Sequence, residues 1–449
     1  MQVKKFVTLI LITGIFISIT PINVFAKSYL TDEKTKYSYI NIDWWKEFND
    51  PILTDYIIKA VQNNYDLKIS SLKIEEAIEK KNIVRAGEMP SIGIGAVPAL
   101  YKLPAVTHSE GLISLPLYAN YEFDLFGKNR DKTKSMDKIV EISKQTERSS
   151  YISVISAVGS TYYNIVKLDK LIEIQEQIIE ERREIYDLMN LSNSEGFIST
   201  ADTVNAHKAL IKADSDIIEL KKLREKMLNM LAVLIGDSSE NSSNYERIYY
   251  DDLIITKQIP EFIPSEIIAN RPDYITSEKM IEKMGIDVRA AKKEFLPSID
   301  ILGLISFNST KYISKLNWNN TVGILGGGIL LPLFTGGSRI ANLKLNKNKY
   351  KQAVENYQNT NLKAIQEVND SLCSLKLDNE KYLKTLESYE DEKQNFYYSN
   401  LKYNEGVISK LDLLQKQESL LVTEKMTVND KTALFLNQIG LYKAIAAGG

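Results

Sequence analysis

Tyr403-Asn404-Glu405-Gly406-Val407-Ile408-Ser409-Lys410-Leu411-Asp412-Leu413-Leu414 lies inside a long helix-forming region. A near copy stands about 210 residues upstream: Glu195-Gly196-Phe197-Ile198-Ser199-Thr200-Ala201-Asp202-Thr203-Val204. In both, Glu-Gly precedes a hydrophobic pair, then Ser, then Asp three residues later. Glycine in mid-helix costs about 1 kcal/mol, so Gly196 and Gly406 belong at helix stops, where a left-handed backbone is accessible. Ser199 and Ser409 are placed to cap the outgoing helices. Asp202 and Asp412 fall in their first turns, where an acid suits the helix dipole. Each copy reads as the tip of a helical hairpin. Two such hairpins make an internal duplication of half-domain length rather than a short solenoid.

Working outward, the first hairpin's arriving helix spans about Asn129 to Leu191 without a proline. Leu171, Ile174, Ile178, Ile185 and Leu188 follow a seven-residue repeat, as in coiled coils. Unbroken, this helix would be roughly 90 Å long. Its return helix runs from Ser199 to about Ile235, before the polar loop Gly236 to Ser243. The second hairpin arrives at Asn404 with Ile365, Val368, Leu372, Leu375, Tyr382, Leu386 and Tyr389 at heptad spacing, and returns to about Ala447.

Before each hairpin comes a helix and then a pair of strand-like runs. The first helix is expected from Pro51, capped by Asp50, to about Arg85; its counterpart runs from Pro264 through Asn270-Arg271-Pro272-Asp273 to Glu294. Met89-Pro90-Ser91-Ile92 is matched by Leu296-Pro297-Ser298-Ile299. Ile92, Ile94 and Ala96 alternate with Gly93, Gly95 and Val97. After a loop over Pro104 to Glu110, Ile113, Leu115, Leu117, Ala119, Tyr121 and Phe123 share one face. Ser114, Pro116, Tyr118, Asn120, Glu122 and Asp124 share the other. In the second half Ile299, Ile301, Ile305 and Phe307 lie opposite Asp300, Ser306 and Asn308. A loop around Asn308 to Asn320 leads to a fourth strand, Val322 to Leu333. A period of two with one apolar and one wettable face describes strands between two media, of a length that crosses a bilayer at a tilt. A hairpin on a soluble core is the other reading of the first pair alone.

The 449 residues carry 56 basic and 58 acidic side chains, a formal net charge of -2, which gives no electrostatic reason to expect nucleic acid. Lys4 and Lys5, the apolar run Phe6 to Thr20 and Val24-Phe25-Ala26 form a secretory signal peptide expected to be cut near Ala26. The only cysteine is Cys373, so no intrachain disulfide is expected, nor a lipid-anchor cysteine after the cleavage site. Cys373, in a heptad-patterned helix, reads as a packed thiol. His108 and His207 have no ligand set around them, so no metal is expected. Gly326-Gly327-Gly328 lacks the ending of a phosphate loop and reads as close backbone packing. Trp44 and Trp45, just before the first helix, read as packing residues. No acid/base or nucleophile constellation appears, and neither an enzyme nor a cofactor is expected.

Four strands cannot close a barrel, and open edges are not tolerated in lipid. Membrane-crossing strands therefore require several copies sharing one barrel. The apolar helix stripes, too long for one partner, likewise ask for a larger cylinder. Together with the signal peptide they describe an outer-membrane channel with a helical tunnel beneath. A secreted coiled-coil structural protein shares the heptads and the signal, but not the paired strands in both halves.

The chain resembles the TolC family of outer-membrane efflux proteins over essentially its whole mature length, most closely the branch that works with resistance-nodulation-division pumps. The matching motifs are Trp45…Phe48-Asn49-Asp50-Pro51…Leu53, Glu122-Phe123-Asp124-Leu125-Phe126-Gly127, Asn270-Arg271-Pro272-Asp273, Phe295-Leu296-Pro297-Ser298-Ile299, Pro332-Leu333-Phe334…Gly336-Gly337, the tip Tyr403…Gly406…Ser409…Leu411-Asp412, and Leu441-Tyr442-Lys443-Ala444. The resemblance implies a mainly α chain with a small β part. Residues 1–26 would be the signal, and 27–263 and 264–449 two efflux repeats. It implies a homotrimer with a 12-stranded outer-membrane β-barrel and a 12-helix periplasmic α-barrel. It also implies docking through the tips, at Gly196, Ser199, Gly406 and Ser409, to a periplasmic adaptor and an inner-membrane pump. Type I protein secretion is the alternative use of such a duct.

The family's functional residues lie at the closed periplasmic end, where acidic side chains ring the pore and polar links hold neighbouring hairpins. Asp412 matches the ring position and Tyr403 is retained. Gln415 stands where some members carry a second acid, and Ile408 where some carry a basic link. Three Asp412 carboxylates near one axis would repel one another and attract a cation. The plainer reading of Asp412, and more so of Asp202, is a first-turn acid stabilising its helix.

Overall fold

The computed structural model describes residues 42–101, 110–254, 263, 265–309 and 321–445. The expected signal peptide, His108, and most of the two loops joining the strand pairs lie outside the described residues. What is described divides into long helices and one antiparallel sheet.

A 3-10 turn, Ile42–Phe48, precedes helix α1, Pro51–Asn63. Asp50 caps α1 as expected, its Oδ1 accepting from the amides of Ile52 and Leu53 at 2.9 and 3.0 Å. The expected single helix to Arg85 is in fact two, because Asn64 leaves the helical region (ψ 128°) and starts α2, Tyr65–Arg85. Its side chain does both jobs at the break: Oδ1 accepts from Leu67 N at 3.1 Å, and Nδ2 donates to Leu234 O at 2.9 Å. The long hairpin helices are α3, Lys128–Ser194, and α4, Thr200–Ile235. In the second half the expected helix from Pro264 to Glu294 also breaks. A short turn, Ser265–Ile268, is followed by α5, Pro272–Lys293, with Pro272 in the first helical turn, where its missing N–H is no loss. The second hairpin is α6, Ser338–Asn404, and α7, Lys410–Ala444.

The breaks have a common purpose. Asn64 holds the start of α2 to the end of α4 through Leu234. Arg271, just before α5, donates from Nη1 to Ala444 O at the end of α7. In each half a shorter helix thus stacks end to end on the return helix of a hairpin. The 67-residue α3 and α6 run alongside unbroken, roughly 100 Å each. Packing places four lanes side by side: α2 stacked on α4, then α3, then α5 stacked on α7, then α6.

An aromatic core ties the start of the described chain to its end. Trp44 stacks on Tyr442 with centroids 5.0 Å apart, Phe48 packs 5.5 Å from Tyr163, and Tyr163 packs 5.0 Å from Phe435. Trp44 and Trp45 are buried, in keeping with a packing role. Cys373 is exposed, not packed, since it falls one position after Leu372 and off the stripe that Leu372 and Leu375 turn inward. His207 stacks on Tyr186 at 4.8 Å.

The sheet contains β1 (Ser91–Ile94), β2 (Val97–Tyr101), β3 (Glu110–Glu122), β4 (Ser298–Ser309) and β5 (Thr321–Leu330). β1 and β2 are one strand in register: Ile94 faces Leu117 and Val97 faces Ser114, with no residue gained or lost between. The ladder is interrupted because Pro116 has no N–H to return the bond that Gly95 N makes to its carbonyl at 2.9 Å. β3 pairs with β4 and β4 with β5, all antiparallel, so the two strand pairs form a single four-lane sheet with β1/β2 and β5 at its edges.

The register sorts the side chains as the alternation requires. Leu115, Leu117, Ala119 and Tyr121 are paired with Phe307, Ile305, Gly303 and Ile301. Ile301, Gly303 and Ile305 in turn face Gly327, Leu325 and Gly323. Ile92 and Ile94 join this face opposite Ala119 and Leu117. It carries no charged residue. The other face is mixed: it holds Ser114, Asn120, Glu122, Asp300, Ser306 and Asn308, with Ser114 Oγ donating to Asn308 Oδ1 at 2.6 Å, but also Leu302, Leu304, Val322 and Ile324. Among the described residues, nothing lies within 4 Å of where a Cβ would be at Gly326 and Gly328, and at Gly327 only the Asp300 carbonyl does, at 3.6 Å. Close backbone packing is therefore not their role within the chain; β5 is an edge strand and its outer side is free.

Candidate functional site

The two hairpin tips repeat one another atom by atom. Gly196 and Gly406 have φ of 77° and 70°. In the first tip the amide of Gly196 bonds Asn193 O and that of Phe197 bonds Ser192 O. In the second, Gly406 bonds Tyr403 O and Val407 bonds Lys402 O. These are the bonds that a left-handed residue after a helix makes to the last free carbonyls. A Cβ at either glycine would meet nothing within 4 Å, so it is the backbone conformation that demands glycine there. The side chains that follow, Phe197 and Val407, are 82% and 66% exposed.

Ser199 and Ser409 cap the departing helices, and Asp202 and Asp412 complete reciprocal capping boxes. Asp412 Oδ2 accepts from Ser409 Oγ at 2.7 Å and Ser409 N at 3.1 Å; the Asp202 bonds are 2.8 and 3.3 Å. The Ser409 hydroxyl and amide hold the Asp412 carboxyl below its ordinary 3.8. Both acids are exposed. Gln415 is exposed one turn further on, its carbonyl accepting from Ser419 Oγ at 3.1 Å. Each Ser–Asp pair is thus brought together, but within this chain Asp412, Gln415 and Asp202 form no single cluster. Tyr403 meets Lys410, whose Nζ lies 5.8 Å from its ring centroid.

Lys410 did not stand out in the sequence, and it is one of the residues that joins the two hairpins. Its Nζ sits 3.3 Å from Glu184 Oε1 on α3. Two residues earlier on α3, Arg182 donates through Nε (3.0 Å) and Nη2 to Glu418 Oε1 on α7, and through Nη1 to Ala209 O on α4 at 2.8 Å. Higher up, Lys425 Nζ donates to Gln175 Oε1 at 2.7 Å, and Gln175 Nε2 to Ala213 O at 3.0 Å. Basic and amide side chains thus bind α3, α4 and α7 together at the tip end of the helices.

Beside these contacts lies Glu181, 5% exposed, with neither carboxylate oxygen hydrogen-bonded. It fills the place the heptad series Leu171, Ile174, Ile178, Ile185, Leu188 leaves open between 178 and 185. That gap was the available sequence signal. Burial, with Glu418, Glu180 and Glu184 nearby, pushes its carboxyl up to about 7. Gln417 offsets part of that rise but completes no hydrogen bond to either oxygen.

Comparison with known proteins agrees with this duplicated architecture. The family described as outer membrane efflux protein matches twice, over residues 57–237 and 263–447. A probable efflux pump outer membrane protein, TtgC of Pseudomonas putida, is 26% identical over 413 residues, covering 90% of this chain and 85% of that one. The cation efflux system protein CusC of Escherichia coli is 24% identical over 412 residues, covering 92% and 90%. Among solved structures, the Campylobacter jejuni CmeC outer membrane channel superimposes with a TM-score of 0.83 at 25% identity, over 91% of this chain and 88% of that one.

Proposed function

The chain belongs to the outer membrane efflux protein family, and on that footing we propose that it is the outer-membrane channel of a tripartite efflux system, working as a homotrimer. The observation that carries this is the four-lane sheet. One of its faces is apolar from edge to edge, and both its edges, β1/β2 and β5, are open. Three copies joined edge to edge give a closed barrel of twelve strands, which is the way a sheet satisfies its backbone in lipid. The helices repeat the logic. β1 follows α2 and β5 precedes α6, so the outer lanes of the helical layer lie on the same two sides as the open strands. Four lanes in each of three copies make a twelve-helix tunnel. Tyr65, Ile69 and Leu72 on α2, and Leu362 on α6, are half or more exposed, as edges awaiting a neighbour would be.

In this reading the basic and apolar residues 1–26 serve export, and residues 27–263 and 264–449 are the two repeats. The tips point away from the membrane. Gly196, Ser199, Gly406 and Ser409 shape them, and the exposed Phe197 and Val407 offer small apolar knobs to a periplasmic adaptor, which couples the channel to an inner-membrane pump. Three copies of Asp412 ring the pore beside Gln415 and Tyr403, while Asp202 serves its helix. The chain moves substrates passively and performs no chemistry.

Purification from outer membranes, mass determination and conductance recording in planar bilayers test this reading. A trimer that conducts with cation preference is expected; a soluble, non-conducting species overturns it.

A further inference from the structure

Glu181 occupies a core position of the α3 seam that its neighbours Ile174 and Ile178 fill with hydrocarbon. Among the described residues no donor completes a hydrogen bond to either carboxylate oxygen and no cation pairs with it; Gln417 on α7 offsets only part of the cost of burial. The charged groups around it are otherwise engaged or repulsive. On α3, Glu180 and Glu184 add negative charge, and Arg182 turns its guanidinium to Glu418 and to the α4 carbonyl of Ala209. On α7, Glu418 adds negative charge, Lys410 is held by Glu184, and Lys425 by Gln175. On α4, Lys212 pairs with Asp216 on the exposed side. An ionised carboxylate in this place is unpaired and buried, which costs several kcal/mol, whereas a protonated one is only a poorly matched polar group.

We infer that Glu181 is a proton-operated latch on the tip end of the helices: protonated, it lets α3 close against α4 and α7, and ionised, it drives them apart there. The sign follows from linkage. The closed form binds the proton more tightly than the open one, so closure is favoured in acid and fades as pH rises. If the opened site returns to the ordinary 4.5 while the closed one stays at about 7, opening increases about tenfold between roughly pH 6 and pH 8 and levels off above that. The latch depends on the proposed channel for its effect on permeation but not for its existence, and the experiment separates the two.

Hydrogen–deuterium exchange of the full-length protein in detergent reads local opening of peptides spanning 175–190. After correction for the intrinsic pH dependence of exchange, the wild type should open about tenfold more readily at about pH 8 than at about pH 6. E181Q, which keeps the shape and cannot ionise, should show a flat profile, and conductance of the wild type should rise over the same range. The same profile for wild type and E181Q overturns the latch. Should E181Q fold poorly, E181L, which completes the heptad, serves in its place. Direct titration of the Glu181 carboxyl by carbon-13 NMR is the second measurement, and an ordinary carboxylate value there overturns the latch too. A pH-dependent exchange signal in a protein that never conducts supports the latch and counts against the channel.

Discussion

Arg182 and Glu418 stand 236 residues apart in sequence, yet the Arg182 Nε lies 3.0 Å from the Glu418 carboxylate. The pair joins the first hairpin to the second near their tips. Because the same guanidinium also donates to Ala209 O, it fastens α3, α4 and α7 at one point.

Removal of that fastener should be felt locally. Arg182→Ala leaves Glu418 uncompensated next to Glu181, and the pair is about three-quarters withdrawn from solvent. We expect a loss of about 1 kcal/mol of stability. Proteolysis should begin sooner between residues 175 and 210, with the sheet unaffected. Protection equal to wild type in timed trypsin digests, scored away from position 182, would show that the tie carries no weight.

The Asp412 carboxylate has two jobs in the proposed channel, a cap and a pore charge, and they can be separated. Asp412→Asn keeps an acceptor for the Ser409 amide; Asp412→Ala keeps none. Both should reduce cation preference and block by multivalent cations in planar bilayers, while Asp202→Asn should not. Because Ser409 holds the carboxyl below 3.8, its charge and its cap persist at ordinary acidity. They are lost only as pH falls through that lowered value. Unchanged selectivity in both Asp412 variants would remove this residue from the pore.

Three glycines with left-handed backbone separate conformational strain from collision. At Gly196 and Gly406 a methyl group meets open space, so alanine should cost roughly 1–2 kcal/mol through the backbone alone. At Gly236, φ 71°, the added Cβ would lie 2.7 Å from Asn63 O, backbone at the end of α1 beside the joint that Asn64 makes between α2 and α4. Gly236→Ala should therefore cost clearly more, about 3 kcal/mol or above. Thermal unfolding of the three variants orders them, and equal midpoints would refute the assignment of the joint.

Neighbouring residues on β5 lie on opposite faces of the sheet, which in the proposed barrel meet lipid and lumen. Leu325 faces Gly303 on the apolar side and Ile324 faces Leu304 on the other. An arginine in the lipid-facing position near mid-membrane costs roughly 2–4 kcal/mol. Leu325→Arg should thus reduce trimer yield in outer membranes, and Ile324→Arg should be tolerated. The reverse result would turn the barrel inside out.

What the sequence discloses and what it conceals divide along a physical line. The tips, the strand faces and the heptads are local or periodic, so Gly406, Leu117 and Ile178 announce themselves. Asn64 breaks a helix for the sake of Leu234, and Lys410 reaches Glu184. Such partners are chosen by tertiary packing, and no spacing rule reveals them. Asp412 was legible twice over, as a cap and as a candidate pore charge; the single chain displays the cap, and only several copies together could display the charge. Cys373 stands one residue off the stripe of Leu372 and Leu375, the margin by which a heptad position turns from core to solvent.

The pairing of β3 with β4 has a consequence for how the protein is made. Leu115 lies against Phe307, and between them the chain travels through α3, α4 and α5. Loop-closure entropy makes such remote contacts slow to form, whereas a helical hairpin needs only its own neighbours. The helical hairpins are thus expected to form before the halves of the sheet meet, and in the proposed channel membrane insertion would follow as a late event. Until then β1, β2 and β3 present apolar side chains and unpaired backbone, and that interval is when the chain is most open to aggregation.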